Sequence, residues 1–131
     1  MATPQVVTIT EDSIPHAIRK IKWDWACTDL GVVDSTTTKS YSGRVVRCVL
    51  ASDAAPTAPT NAYDVTIEDE DGYDVLHGSG ADVTSAATVQ VTDATKLMWV
   101  KDSKLQLNIA AAGDAKGGIV ILYIEGYETA H

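Results

Sequence analysis

The chain has little cysteine, little positive charge and no long apolar run, and each shortage closes off a class of protein. Its 131 residues include two cysteines, Cys27 and Cys48, with no Cys-x-x-Cys pair and no Cys/His cluster. That excludes a disulfide framework and argues against zinc or thiol redox chemistry. Both cysteines fall on predicted strands, where a free thiol behaves as a small buried hydrophobe. Ten Lys and Arg stand against eighteen Asp and Glu, for a net charge of −8. Nucleic-acid affinity comes largely from Lys and Arg displacing counterions, so neither DNA nor RNA is expected as a partner. The deficit is uneven: residues 1–48 carry six cations and five carboxylates, residues 49–131 four and thirteen. Surplus acid keeps a protein soluble and would also steer it toward a basic surface. The longest apolar run, Ile119–Ile124, is far short of what a bilayer-crossing helix needs, roughly 20 residues. The opening Met1-Ala-Thr-Pro-Gln5 has no basic segment leading into an apolar stretch, so no secretory signal is expected and synthesis is placed in the cytosol.

Helical periodicity is missing too, and alternation takes its place. Gln5–Thr10 is short and β-branched. In Ala17–Cys27, Ile21, Trp23, Trp25 and Cys27 alternate with Lys20, Lys22, Asp24 and Ala26, the period of a half-buried strand. Tyr41–Leu50 sets Val45, Arg47 and Val49 against Val46, Cys48 and Leu50. Thr28–Ser40 and Ala51–Asn61 read as connections, the second because Pro56 and Pro59 withhold backbone donors. A loop of that length is uncommon unless it touches something. Asp71-Gly72 predicts a tight type I′ turn joining Ala62–Asp69 to a returning strand, Tyr73–His77. Gly78–Ala87 reads as a loop, with short strands predicted near Thr88–Thr92 and Lys96–Val100. Lys104–Ala110 and Gly118–Glu125 are expected to form a terminal hairpin around Ala111–Gly117, and Ile119–Ile124, apolar on both faces, belongs in a central strand. The fold class is therefore all-β, an antiparallel β-sandwich or jelly-roll-like barrel of about eight strands. Residues 1–15 read as an N-terminal arm and residues 16–131 as one domain.

No motif for catalysis, metal or cofactor emerges. The acid run Glu68–Asp74 resembles a calcium site in composition alone: an EF-hand loop placed on Gly72 needs an oxygen ligand at Ile67 and a Glu at Gly78, and has neither. A solvated turn is the better reading. Adjacent acids on a turn do not face each other across a cleft, as glycoside hydrolysis requires. His16, His77 and His131 are scattered and no nucleophile sits in a recognisable setting. Gly78-Ser-Gly80 precedes no helix, so a phosphate loop lacks its context. Aromatics at strand spacing, Trp23 and Trp25, are most often core; a subunit interface or a sugar platform is the alternative.

Three stretches together have a familiar texture: Val7-Thr-Ile-Thr-Glu-Asp12 with Ile18-Arg-Lys-Ile-Lys-Trp-Asp-Trp25, then Ala62-Tyr-Asp-Val-Thr-Ile-Glu-Asp-Glu-Asp-Gly-Tyr-Asp-Val-Leu76, then Asp102-Ser-Lys-Leu-Gln-Leu-Asn-Ile109 with Gly113-Asp-Ala-Lys-Gly-Gly-Ile-Val-Ile-Leu-Tyr-Ile124. The chain resembles small virion structural proteins of tailed bacteriophages, most of all head decoration (cement) proteins. The resemblance implies a non-enzymatic protein on the capsid surface of the virion that binds the major capsid protein, self-associates as a dimer or trimer, and stabilises the expanded head without membrane, nucleic acid or cofactor. A tail or baseplate component and a virion-borne carbohydrate-binding module are the alternatives. Candidate contact residues are Val6, Val7 and Ile9 of the arm, which could add a strand to a neighbour, with Trp23, Trp25, Pro56 and Pro59.

Overall fold

The computed structural model describes residues 4–14, 18–54, 57–85, 87–93 and 95–130. Among the described residues nine strands form two antiparallel sheets, and no helix occurs. They are β1 (Val6–Ile14), β2 (Ile18–Ala26), β3 (Val33–Thr36), β4 (Lys39–Ser52), β5 (Asp64–Glu68), β6 (Val89–Val91), β7 (Trp99–Ser103), β8 (Gln106–Ala110) and β9 (Gly117–Ala130). The larger sheet runs β1-β2-β9-β4, with β6 and β7 both paired to the far edge of β4; the smaller runs β3-β8-β5. One hydrophobic core lies between them, so the sandwich form of the expected all-β class is the one adopted.

Alternation explains which side chains meet in that core. From the larger sheet, Ile21, Trp23 and Trp25 of β2, Val45, Cys48 and Leu50 of β4 and Val120, Leu122 and Ile124 of β9 point inward. Opposite them stand Val33, Val65, Ile67, Leu107 and Ile109 from the smaller sheet, closed off by Tyr63, Leu76, Val83 and Leu105 from the connections. Trp25 and Tyr63 pack with ring centroids 5.9 Å apart. β9 is central, as its apolar composition indicates: it pairs with β2 over nine residues and with β4 over thirteen.

Several sequence expectations are corrected. Within the segment read as an arm, Val6–Ile14 forms a strand that pairs along its whole length with β2. Thr28–Ser40 is not simply a connection, since it contains β3. The terminal hairpin does not form: β8 pairs with β3 and β5, whereas β9 joins the other sheet, so residues 111–116 cross between layers. Asp71-Gly72 is not the centre of a two-residue turn. Asp69 N–H donates to Tyr73 O at 3.0 Å and Gly72 sits at φ 85°, which makes a three-residue loop ending in a left-handed glycine. The returning strand shrinks to one bridge, Glu68 to Asp74, after which 75–82 turns back along the edge of β5 through Val75 N–H to Ile67 O and Val65 N–H to Gly80 O.

Candidate interaction surface

The proposed contact residues do not gather into one patch. Trp23 and Trp25 are 0% and 2% exposed, so both indoles belong to the core and present no surface in the folded chain. Val7 and Ile9 pack partly buried against the same core, while Val6 on the opposite face of β1 is exposed. Pro59 is buried, and Pro56 lies outside the described residues. β1, at the edge of the larger sheet, fastens one side of the sandwich. The Gln5 amide accepts from Asp34 N–H at 2.9 Å and donates to Asp34 O at 2.6 Å, capping the edge of β3. Six residues on, the Glu11 carboxylate accepts from the backbone N–H groups of Thr38 and Lys39 and from the hydroxyls of Thr38 and Tyr41. Partial burial raises the Glu11 pKa, but these four bonds outweigh it and the net shift is downward.

The acidic turn is organised around its own backbone. Asp69 Oδ1 accepts from Asp71 N–H and Tyr73 N–H, each at 3.0 Å. The Asp74 carboxylate accepts from Ile67, Leu76 and Gly78 N–H. Among the described residues no group of three or more His, Cys, Asp or Glu side chains is placed to hold a metal ion. His77 is exposed at φ 49°, and His16 and His131 lie outside the described residues. Both cysteines are free and buried, and burial, with Asp74 nearby, pushes the Cys48 thiol far up. Cys27 donates to Gly113 O and accepts from Lys116 N–H, each at 3.1 Å, which pins the crossover between sheets.

What remains for recognition is the pair of outer faces. The smaller sheet shows Asp34 and Thr36, Gln106 and Asn108, and Thr66 and Glu68, with shallow grooves of about 260 and 340 Å³ over them. It is polar and acidic. The larger sheet is different, and its register reads off the pattern row by row, since residues directly opposite share a face. Ile18, Glu125, Arg44 and Trp99 form one row. Asp12, Lys20, Tyr123 and Arg47 form the next, and Thr10, Lys22, Ile121, Val49 and Gln90 the third. Thr8, Asp24, Ile119 and Ala51 complete it. An apolar strip of Tyr123, Ile121, Ile119, Val49 and Ala51 therefore runs down the middle of a broad face. Trp99, 73% exposed, extends it at one corner.

A β-bulge creates part of this pattern. Val45 is opposite Ile124 and Arg47 is opposite Tyr123, so Val46 is the extra residue and the alternation of β4 resets there. Val45 consequently joins Cys48 and Leu50 inside rather than Arg47 and Val49 outside. Arg47 is thereby placed over the Tyr123 ring, its guanidinium carbon 5.2 Å from the centroid, with Lys20 Nζ at 6.0 Å from the other flanking strand. Cations so placed are attracted by the ring face. Arg47 also donates to Gln90 Oε1 at 2.8 Å. No family model, curated protein or solved structure matches this chain.

Proposed function

We propose that this chain is a non-enzymatic structural protein of a phage virion, a decoration protein that lies on the outside of the expanded head and stabilises it. The observation that supports this reading most is the uncovered outer face of the six-stranded sheet: broad, apolar along its centre and carried by the longest strands of the fold. A broad open sheet face suits docking on another macromolecular surface, whereas catalysis and small-ligand binding use concave sites with convergent polar groups. The sandwich behind it is strapped at one side by Gln5 and Glu11. Many copies on a lattice would reinforce weak individual contacts through multivalency.

The test is sedimentation of the purified protein with expanded, empty heads assembled from the capsid proteins encoded with it, counting copies bound per capsid subunit. Saturation at a simple lattice ratio is the expected result. No binding by folded protein would remove the decoration reading and turn attention to tails. The glycan-binding alternative rests on Tyr73 and Trp99, which are 64% and 73% exposed, and quenching of Trp emission by glycans would favour it.

A further inference from the structure

The outer face of the larger sheet also differs from the rest of the molecule in charge. Its rows hold Lys20, Lys22, Arg44 and Arg47 against Asp12, Asp24 and Glu125. The face is thus +1 while the remainder of a −8 chain is −9. The opposite face carries Asp34, Asp64 and Glu68 on its strands, with Asp69, Glu70 and the single cation Lys104 lining the groove at one end. The net charge outside these rows is negative, so a negatively charged partner meets the least repulsion at the larger sheet.

We infer that this face docks on an acid-bearing protein surface, with Tyr123 and Ile121 at the centre of the contact and Lys20, Lys22 and Arg47 pairing carboxylates around it. The inference rests on the decoration reading and names the face and the partner chemistry that this reading leaves open. The arrangement is that of a protein interface, an apolar and aromatic centre ringed by charge. Tyr123 holds Lys20 and Arg47 on either side of the strip, so their charges are already positioned before a partner arrives. A phosphate backbone is a poor fit, because its dense uniform charge cannot accommodate Asp12, Asp24 and Glu125 among the cations, whereas an acid-bearing protein surface can also place donors or cations opposite those three carboxylates. A lipid surface is disfavoured for the same reason, since those carboxylates would have to enter the headgroup layer with the apolar strip. The chain's own opposite face lacks an apolar strip to match this one.

The experiment compares the wild-type chain with two variants of the face in the head-binding assay. One is the double reversal Lys20→Glu with Arg47→Glu; the other is the milder Lys20→Gln with Lys22→Gln, which keeps the fold testable if the reversal does not fold. Asp34→Asn with Asp64→Asn on the opposite face is the control, and circular dichroism checks each fold. The expected result is roughly a hundredfold loss of affinity for the reversal, a smaller loss for the neutral pair and none for the control. Wild-type binding should also weaken between about 0.1 and 1 M salt, where the screening length falls from about 10 to about 3 Å. Wild-type binding that both face variants retain would overturn the inference and leave the decoration reading standing. Failure of the wild type to bind heads would overturn both. Self-association in the ultracentrifuge that the reversal abolishes, without binding to heads, would assign the face to a second copy instead.

Discussion

Replacing Glu11 should open the side of the sandwich, and the size of the effect follows from its bonds. The carboxylate accepts four hydrogen bonds from Thr38, Lys39 and Tyr41, tying the edge strand β1 to the corner between β3 and β4. Bonds to a charged acceptor contribute about 1.5–3 kcal/mol each when buried, but this carboxylate is partly open to water, and about 0.5 kcal/mol each is the appropriate discount. Glu11→Ala should therefore lose about 2 kcal/mol. With an unfolding entropy of about 2.1 cal/mol/K per residue, that corresponds to a fall in Tm of about 7 °C. Glu11→Gln, which keeps an acceptor oxygen but turns an N–H₂ toward N–H donors, should fall by about half as much. The pH dependence identifies the cause. The folded-state pKa of Glu11 lies below its ordinary 4.5, so its stabilisation is present above that value and is lost as pH falls through the lower folded-state value. The Tm gap between wild type and Glu11→Gln, measured by scanning calorimetry, should be full at pH 7 and shrink as the pH falls below the ordinary carboxylate range. A gap that stays constant as the pH falls, or no gap at all, would refute the strap.

Three further perturbations address packing, thiols and register. A Cβ at Gly118 would lie 2.5 Å from Ala51 O and 2.9 Å from the Trp25 ring, so Gly118→Ala should cost about 2 kcal/mol in urea denaturation and alter Trp emission; unchanged stability would mean that β4 and β9 separate easily. Cys27 and Cys48 should both resist a thiol reagent at neutral pH in the native protein and react fully once unfolded, because both are buried away from the reagent and burial pushes the Cys48 thiol far up; rapid native labelling of Cys48 would show that the core opens. Deleting Val46 should leave a folded protein less stable by at most about 2 kcal/mol, since Val45 and Arg47 then face adjacent β9 residues in a regular ladder. Deleting Val49 should prevent folding, because it turns part of β4 inside out. Circular dichroism and urea denaturation of the two deletions decide this, and equal damage from both would refute the bulge.

Local alternation carried much of the architecture. Ile21, Trp23 and Trp25 were assigned to one face by spacing alone, and β9 was marked as central because Ile119–Ile124 is apolar on both sides. Partner choice was less accessible. β8 and β9 are close in sequence and each looks like one arm of a hairpin, yet they lie in different sheets, since a short connection can cross layers as readily as reverse within one. β3 was obscured by its polarity: Val33-Asp-Ser-Thr36 is an edge strand with one side in solvent, and what holds that edge is the amide of Gln5, 29 residues away.

The face proposed for docking is hidden from the sequence for a related physical reason. Tyr123 and Ile121 stand out in the sequence as apolar residues on the second side of a strand, but their meaning depends on what flanks them. Lys20 and Arg47 come to the same ring from strands on opposite sides of β9, and no local pattern couples the three. Strict alternation even places Arg47 on one side with Val45, whose side chain is fully buried; only the extra residue at Val46 turns the guanidinium outward. The bulge thus has two consequences at once. It keeps a charge out of the core, where an unpaired guanidinium would be strongly destabilising, and it delivers that charge to the rim of the apolar strip. In a strand of this length, the register set at Val46 is what lets Val45 fill the core and Arg47 edge the apolar strip at the same time.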